Sequence, residues 1–316
     1  MSNIEFPGIG LGPFDIDSVA IRNFLWTGRN IAWYGIFVTF GILCGIFYAF
    51  WRGKKNNGIK VDDMIDVAIF SIPAGIIGAR LYYVLFNLKA FPTLFSVIEV
   101  WNGGLAVYGG IIAGFITALL VCKYKKISIF KVFDSTAPAF MLGQIIGRWG
   151  NFTNAEVLGV KTDLPWGMSI DGAASVHPIF LYESLWNLVG FAVINLIYKK
   201  KKFDGQIFLM YITWYGFGRM LLEGIRGEKD TLFLGVFRIS QIVGFLCFVL
   251  GTAAIIVLAM KYKNQKLENA EYDGVYSTVK AKIAESEPEE EKEEKEETEE
   301  TREESKEEED IQKPGE

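Results

Sequence analysis

Long apolar runs separated by short polar segments form the dominant pattern of this chain. The first run covers residues 31–51, which is 21 residues without a charged side chain. A helix of that length crosses the hydrocarbon core of a bilayer. Similar runs recur, and together they predict spans at residues 31–51, 64–86, 104–122, 132–147, 179–198, 205–223 and 239–260. We therefore expect an all-α fold, a polytopic bundle of about seven transmembrane helices.

Basic residues are concentrated in every second loop between the predicted spans. These loops follow the first, third, fifth and seventh spans, at residues 52–60, 123–131, 199–202 and 261–266. Because positively charged loops favour the cytoplasm, the N-terminus is predicted to lie outside and the C-terminus inside. The chain then divides into an extracytoplasmic segment (1–30), a transmembrane domain (31–260) and a charged, acidic cytoplasmic tail of low complexity (261–316).

The formal net charge of −5 combines two opposed parts. Residues 285–316 contain 18 acidic and 5 basic residues, whereas the remainder contains 27 basic and 19 acidic residues. The acidic stretch has the low complexity typical of a solvated extension, and it gives no reason to expect nucleic-acid binding. Cys44, Cys122 and Cys247 lie within apolar runs without the spacing of a metal site, so we expect small buried hydrophobic residues.

Polar residues in the predicted spans, or just beyond the outer end of the fourth, share one depth near the outer surface. Most lie within six residues of an outer span end, which at ~1.5 Å per residue is roughly 9 Å or less. They are Tyr34, Arg80, Tyr108, Arg148, Asn151, Glu183, Arg219 and Glu223. Polar groups in a membrane are costly and usually functional. The pattern predicts one polar cavity that opens outward, beside the long outer segment 148–178.

The most informative segment is GRWGNFTNAEVLG, residues 147–159, where the fourth predicted span ends. Its polar side chains are Arg148, Asn151, Asn154 and Glu156. The guanidinium fork of an arginine fits phosphate oxygens in pairs. Glycines such as Gly159 let the backbone approach a ligand closely. A phosphate-bearing partner is therefore the expected reason for these residues.

Several of these residues also have a purely structural interpretation. Arg219 and Glu223 are spaced i, i+4 and could neutralise each other on one helix face. Arg80 could extend to the lipid headgroups. His177 precedes Pro178, so a role in helix entry is as reasonable as catalysis. Acidic residues near the predicted cytoplasmic ends are expected to be boundary or capping residues; they are Asp62, Asp63, Asp66 and Asp134.

The motifs together resemble the prolipoprotein diacylglyceryl transferase family. The resemblance is strongest over residues 147–159, and it extends in the same order from about residue 30 to residue 260. The supporting motifs are AWYG around Tyr34, GAR at 78–80, WNGGLAVYGG at 101–110, HPIFLYES at 177–184, YGFGRMLLEGIR at 215–226 and ISQ at 239–241. Thr153 departs from the aliphatic residue usual at its position.

The resemblance implies an enzyme of the bacterial cytoplasmic membrane. Its reaction would transfer diacylglyceryl from phosphatidylglycerol to the lipobox cysteine thiol of a prolipoprotein, the first step of lipoprotein maturation, and release glycerol 1-phosphate. The partners would be phosphatidylglycerol, the prolipoprotein signal peptide and membrane lipids. No metal or organic cofactor is implied.

The resemblance and the chemistry also imply roles for individual residues. Arg148 would bind the phosphate, and Arg219, oriented by Glu223, would stabilise the leaving group or the headgroup. The remaining predicted site residues are Asn151, Asn154, Glu156 and Gly159 in the loop, with Tyr34, Arg80 and Tyr108 at the headgroup. Some members of the family carry histidine, the favoured base, at the position of Tyr108. A phenol is a poorer base than imidazole at neutral pH. Three proton acceptors are therefore considered, namely Tyr108 as a phenolate stabilised by nearby arginines, Glu156, and a water.

Two other classes of protein fit parts of the pattern. A secondary transporter of an anionic solute would also use arginines, but such transporters usually show internal repeats and a midplane site. A structural protein could bind anionic lipid through the same arginines without chemistry.

Replacing Tyr108 with histidine tests its place in the predicted site. If Tyr108 occupies the base position, Tyr108→His retains thioether formation on a precursor peptide, measured by mass spectrometry. Complete loss of product at normal expression would show that the tyrosine hydroxyl has its own function.

Overall fold

The structure is a computed structural model that describes residues 1–24, 30–88, 91, 93–99, 103–227, 233–235 and 237–286. Trp101 and Asn102 of the sequence motif and residues 287–316 of the acidic tail lie outside the described residues. The chain separates into two compact units, Met1–Ala259 and Met260–Glu316. The first unit contains every residue discussed below as part of a site.

Eight α-helices are found in the described residues. They are α1 (Trp33–Asn57), α2 (Val61–Phe86), α3 (Leu94–Ile98), α4 (Val107–Lys125), α5 (Ile129–Thr153), α6 (Ile179–Ile197), α7 (Gln206–Leu222) and α8 (Ile239–Ser286). Seven of them overlap the seven predicted spans, and the five-residue α3 is additional. Five helical segments of the described chain are long and apolar enough to cross a membrane, which supports a helical membrane protein. Helix α8 does not end at Met260 but continues to Ser286.

The expectation of an all-α fold missed several short β-strands. They are β1 (Ser2–Phe6), β2 (Leu11–Ile16), β3 (Val19–Ile21), β4 (Ile31–Ala32), β5 (Ser169–Ile170), β6 (Phe233–Leu234) and β7 (Phe237–Arg238). Three of them form an antiparallel sheet in the order β2-β1-β5. Ile4 in β1 is fully buried in a small apolar core with Met168 and Phe180. The sheet therefore fixes the N-terminal hairpin against the segment that precedes α6.

Helix α5 is longer than its apolar run, because it begins at Ile129 and ends at Thr153. The prediction that Arg148 and Asn151 follow the helix is therefore wrong, since both lie in its last two turns. Helix α5 packs on α1, α6 and α7. A helix surrounded by other helices can carry polar side chains that find partners there instead of facing lipid.

Close glycine contacts join α1 to α5 in an antiparallel pair. A Cβ atom on Gly41 would lie 3.1 Å from the carbonyl oxygen of Gly143, and one on Gly45 would lie 3.1 Å from that of Ala139. Small residues that let two helix backbones approach are typical of helix packing in membranes. The antiparallel arrangement places the start of α1 beside the end of α5.

The same device joins α2 to α4. A Cβ atom on Gly78 would lie 2.3 Å from Cβ of Ala113 and 2.7 Å from the carbonyl oxygen of Gly109. One turn earlier, a Cβ on Gly75 would meet its nearest atom, the carbonyl oxygen of Gly110, at 3.4 Å. The α2–α4 contact is therefore tightest at Gly78.

Helices α6 and α7 are connected by two tryptophans. The Trp186 and Trp214 rings are stacked with centroids 4.6 Å apart. Each indole N–H donates to the backbone carbonyl of the other tryptophan, at 3.1 and 3.0 Å. A buried indole needs an acceptor for its N–H, and here each ring supplies both apolar contact and a hydrogen bond. The pair fixes the register of two helices that carry site residues.

Asp134 is fully buried near the start of α5, and it caps the N-terminus of α7. Its carboxylate accepts hydrogen bonds from the backbone N–H of Gly205 at 2.9 Å and of Phe208 at 3.1 Å, in the first turn of α7. Lys201 lies 2.9 Å from the same carboxylate. The structure agrees with the predicted capping role for Asp134, although the helix that it caps is α7 and not its own.

We expect Gly78→Ala to lower the stability of the folded protein by about 1–3 kcal/mol, because the new methyl group overlaps the α4 backbone. Gly75→Ala is the matched control on the same face of α2, and it should change stability by no more than about 1 kcal/mol. Unfolding in detergent micelles, followed by circular dichroism, measures both variants. Equal effects of the two substitutions would contradict the packing described for Gly78.

Candidate functional site

A buried carboxylate connects three helices at one end of the bundle. Glu183, in the second turn of α6, is 7% exposed. Its Oε2 lies 2.5 Å from Nε of Arg148 in α5, and its Oε1 lies 3.1 Å from Nη1 of Arg219 in α7. Because α5 and α7 end where α6 begins, all three side chains meet at the same end of the bundle. Glu183 therefore holds two arginines from different helices close together.

A second buried carboxylate extends this contact beyond α7. Glu223, in the 3-10 turn that follows α7, is 2% exposed. Its Oε2 lies 2.9 Å from Nη2 of Arg219 and 3.9 Å from Nη1 of Arg226. Arg238 of β7 donates hydrogen bonds to the backbone carbonyls of Glu223 and Arg226. The predicted pairing of Arg219 with Glu223 is present, but it is one part of a larger network.

The arginine–glutamate cluster, as we call this network, consists of Arg148, Glu183, Arg219, Glu223 and Arg226. Its three guanidinium groups outnumber its two carboxylates. Burial lowers the pKa of Arg226, the positive charge of Arg219 lowers it further, and the carboxylates of Glu183 and Glu223 oppose the shift. Among the described residues, Nη2 of Arg148 has no hydrogen-bond partner. A surplus of positive charge and a free donor suit an anionic group.

Arg148 is also linked to Glu156 through an amide. Nη1 of Arg148 donates to Oδ1 of Asn151 at 3.2 Å, and Nδ2 of Asn151 donates to Oε1 of Glu156 at 2.8 Å. The segment after α5 must turn back sharply for this contact, and Ala155 and Val157 have φ angles of +51° and +59°. A β-branched residue with positive φ is strained, and such strain is typical of functional segments.

Gly159, in the segment that follows α5, contacts the backbone of two other segments, one at His177 and one at Arg226. Its N–H donates to the carbonyl of His177 at 3.0 Å, and it pairs with Arg226 in an isolated β-bridge. A Cβ atom at this position would lie 2.5 Å from Cβ of His177 and 3.0 Å from the carbonyl oxygen of Ile225. Only glycine fits here without a shift of the backbone. Gly159 therefore positions Arg226.

Two more predicted residues border the same end of α5. A Cβ atom on Gly150 would lie 2.9 Å from Cδ2 of Tyr34, so the tyrosine ring packs on the glycine between Arg148 and Asn151. Asn154 caps α5, where its backbone N–H donates to the carbonyl of Gly150 at 3.2 Å. The structure thus places both residues within the signature segment or against it.

Arg80 makes a different set of contacts from the predicted one. It is 5% exposed, so it does not extend to lipid headgroups. Its guanidinium donates five hydrogen bonds to the backbone carbonyls of Ser96, Val97, Glu99, Gly103 and Gly104. Since an arginine has five N–H donors, none remains for a phosphate. Arg80 therefore acts as a positioning residue for the segment that leads into α4.

Tyr108 lies in the first turn of α4, which packs mainly on α2. Its side chain is 52% exposed, and among the described residues it makes no hydrogen bond. The structure does not connect Tyr108 to the arginine–glutamate cluster. The residues just before this turn are fixed to α2, because Arg80 donates to the carbonyls of Gly103 and Gly104 and the N–H of Ala106 donates to the carbonyl of Ala79 at 3.0 Å.

His177 has a structural environment at the start of α6. Its Nδ1 lies 3.2 Å from the hydroxyl of Tyr182, which accepts a hydrogen bond from Nε1 of Trp166 at 2.7 Å. Its backbone pairs with Gly159 and Val160. These contacts agree with the helix-entry alternative considered from the sequence.

Sequence reasoning assigned no role to Glu183, Arg226 or Arg238. Glu183 was visible as a charged residue in the outer polar layer, but its partners lie on other helices. Arg226 follows Glu223 by three residues, a spacing that allows contact on one helical turn. In the part of the chain that the structure describes, no group of three or more His, Cys, Asp or Glu side chains could hold a metal ion.

Fold and site together define a multi-pass membrane protein with a buried arginine–glutamate cluster at one end of its helices. Comparison with known proteins narrows this class. The family model described as "Prolipoprotein diacylglyceryl transferase" matches residues 23–257. The arginine–glutamate cluster lies entirely within this range, and the chain belongs to the prolipoprotein diacylglyceryl transferase family.

Curated relatives with the name phosphatidylglycerol–prolipoprotein diacylglyceryl transferase agree with this assignment. The protein from Finegoldia magna is 42% identical over 258 residues, which cover 81% of this chain and 100% of the relative. The protein from Clostridioides difficile is 41% identical over 79% of this chain and 98% of its own length. The protein from Listeria innocua is 36% identical over 80% of this chain and 93% of its own length.

The contact between Arg148 and Glu183 should be energetically strong, because both groups are largely removed from water. We expect a double-mutant cycle with Arg148→Gln and Glu183→Gln to give an interaction free energy of about 1–3 kcal/mol in unfolding experiments. The exposed pair Arg22 and Asp17 provides the control cycle. It should give no more than about 1 kcal/mol. An Arg148–Glu183 coupling no larger than that of the control would contradict the geometry.

Proposed function

We propose that this chain transfers diacylglyceryl from phosphatidylglycerol to the cysteine thiol of a prolipoprotein. The products are a thioether-linked lipoprotein precursor and glycerol 1-phosphate. The observation that carries the proposal is the meeting of Arg148 and Arg219, from separate helices, at one buried carboxylate. Membership of the family supplies the reaction class, and the cluster supplies cations for a phosphate.

The setting that we propose is the bacterial cytoplasmic membrane. Helices α5 and α7 would add two spans to the five that length and composition identify, which gives seven spans with the N-terminus outside. The antiparallel packing of consecutive helices and the alternation of basic loops support this topology. The arginine–glutamate cluster then lies near the outer surface, where phosphatidylglycerol of the outer leaflet and an exported precursor can both reach it.

The chemistry requires that one bond form and another break at the same carbon. The cysteine sulfur forms a bond to the terminal glycerol carbon of the diacylglyceryl group. The bond between that carbon and the phosphate oxygen breaks, and its electron pair leaves with glycerol 1-phosphate. Cations fixed beside the phosphate lower the barrier, because they stabilise the negative charge that develops on the leaving group.

The geometry supports different roles for the two arginines. Arg148 is assigned to the phosphate, because its Nη2 is free among the described residues. Arg219 is held on both sides, by Glu183 and by Glu223, and is assigned to the leaving group. Glu183 and Glu223 are positioning residues in this proposal, since they fix the guanidinium planes before the substrate binds.

The remaining residues are assigned to the glycerol headgroup and to the proton. Asn151 and Asn154 would hold the glycerol hydroxyls, and Tyr34 would donate to the headgroup. A thiol with a pKa near ~8.5 must lose its proton to become nucleophilic. The geometry favours Glu156 as acceptor, directly or through a water, because Asn151 connects it to Arg148. Tyr108 would contact the headgroup from α4.

The alternative of an anionic-solute transporter is not favoured, since the family and its curated relatives are named as transferases. The two functions differ in one measurable product. Reconstitution with phosphatidylglycerol and a precursor peptide yields lipid attached to cysteine in one case, and solute flux without modification in the other.

Arg148→Ala should reduce thioether formation by about 100-fold or more, because it removes the proposed phosphate contact. Arg148→Lys should retain part of the activity, since it keeps the charge but loses the paired donors. Mass spectrometry of a precursor peptide, incubated with enzyme in phosphatidylglycerol vesicles, measures the product.

Arg22→Ala, which removes an exposed arginine from the N-terminal segment, is the matched control and should have full activity. Membrane insertion of each variant is checked by its resistance to carbonate extraction. Normal product yield from inserted Arg148→Ala protein would reject the phosphate assignment.

A further inference from the structure

An open apolar groove lies between the N-terminal hairpin and the ends of α5 and α6 that carry Arg148 and Glu183, and it has no part in the chemistry described above. Its volume is about 650 Å³. One wall consists of Trp149, Phe152, Phe180 and Leu181 at the end of α5 and the start of α6. The other wall consists of Phe6, Leu11, Pro13, Phe14, Asp15 and Ile16 of the N-terminal hairpin. The lining is apolar except for Asp15.

The groove borders the free edge of strand β2. Successive side chains of a strand point to opposite faces, so a cavity on one face touches every second residue. Here four consecutive residues, Pro13 to Ile16, line the groove. In the sheet order β2-β1-β5, strand β1 occupies the other edge of β2. The groove therefore reaches the edge of β2 that no strand of this sheet pairs, although Pro13 offers no N–H there.

The opposite wall is continuous with the site. Trp149 stands between Arg148 and Gly150, and its ring packs on Phe152 and Phe180 with centroids 6.1 and 5.6 Å away. Phe180 precedes Glu183 by less than one helical turn. No residue of the cluster lines the groove, but the groove wall includes Trp149, which follows Arg148 in α5, and Phe180, which precedes Glu183 in α6.

We propose that this groove binds the acceptor peptide, as an extended apolar segment next to the cysteine that receives the lipid. The segment would add as a strand to the free edge of β2 and place alternate side chains between Phe14 and the Trp149 wall. The proposal rests on the transferase function proposed above and deepens it by locating the second substrate. An acyl chain of the lipid also fits an apolar wall, but it cannot use the hydrogen-bonding edge of a strand.

Exposed residues of the hairpin provide a matched pair of variants. Leu11 and Phe14 line the groove and are 52% and 44% exposed, whereas Ile9 is 50% exposed and does not line it. Steady-state transfer is measured in mixed micelles, with the concentrations of precursor peptide and phosphatidylglycerol varied separately. We expect the double variant Leu11→Ser/Phe14→Ser to raise the KM for peptide about tenfold, which is about 1.4 kcal/mol, with kcat and the KM for lipid unchanged. Ile9→Ser should leave all three constants unchanged.

A second measurement tests the strand pairing itself. N-methylation of single peptide residues removes one hydrogen-bond donor at a time. Because a strand directs alternate N–H groups to one edge, we expect the KM for peptide to rise at every second position only. This pattern does not depend on whether a hairpin variant folds.

The outcomes separate the possible failures. An unchanged KM for peptide in the double variant, or a rise in the KM for lipid in its place, overturns the proposal, and the latter result assigns the groove to an acyl chain. N-methylation without a period of two overturns the strand pairing. If the unmodified protein forms no thioether at all, the transferase function fails, and the peptide site fails with it.

Discussion

The site depends on one buried carboxylate between two arginines. Two guanidinium groups repel each other strongly where water is scarce, because the local dielectric constant is low. Glu183 reverses this balance by contacting Arg148 at 2.5 Å and Arg219 at 3.1 Å. Helices α5, α6 and α7 can therefore end side by side with their cations facing the same space. Removing such a carboxylate leaves the buried guanidinium charges without compensation. This destabilises a protein more than replacing the whole ion pair with apolar residues does.

The same arrangement explains how a stable fold can hold several cations where an anionic substrate can contact them. Glu183 and Glu223 form ion pairs with the guanidinium groups, and Arg219 also donates a hydrogen bond to Glu183, so the side chains are oriented before any substrate arrives. A free donor on Arg148 and a surplus of positive charge remain for a phosphate. Preorganised charge of this kind stabilises a transition state without reorganisation during the reaction, and it is usually the largest single contribution to enzymatic rate enhancement.

The helices were largely predictable, because a membrane-spanning helix needs a continuous run of apolar residues and such a run is visible in the local sequence. The depth of polar residues along those runs also predicted that Arg148, Asn151, Arg219 and Glu223 would lie at one end. What the sequence could not supply were contacts between distant segments. Glu183 was visible as a charged residue, but its two arginine partners lie on other helices. The N-terminal sheet was missed because β5 follows β1 by more than 150 residues.

Arg80 shows the limit of reading depth as function. Its position in the outer layer predicted contact with a lipid headgroup, yet five backbone carbonyls of residues before α4 accept hydrogen bonds from its guanidinium. The end of α5 shows the converse case. An apolar run that stops near Gly147 suggested a helix end, whereas partners on α6 allow polar residues to continue the helix to Thr153.

The most direct test of the central claim is a structure of the protein with bound phosphatidylglycerol, in which the distances from the lipid phosphate to Arg148 and Arg219 are measured. The account predicts that phosphate oxygens lie within about 3 Å of a guanidinium nitrogen of Arg148, with Arg219 beside the bridging oxygen that leaves, while Glu183 keeps its contacts to both. A phosphate bound elsewhere, or one that contacts neither arginine, would contradict it.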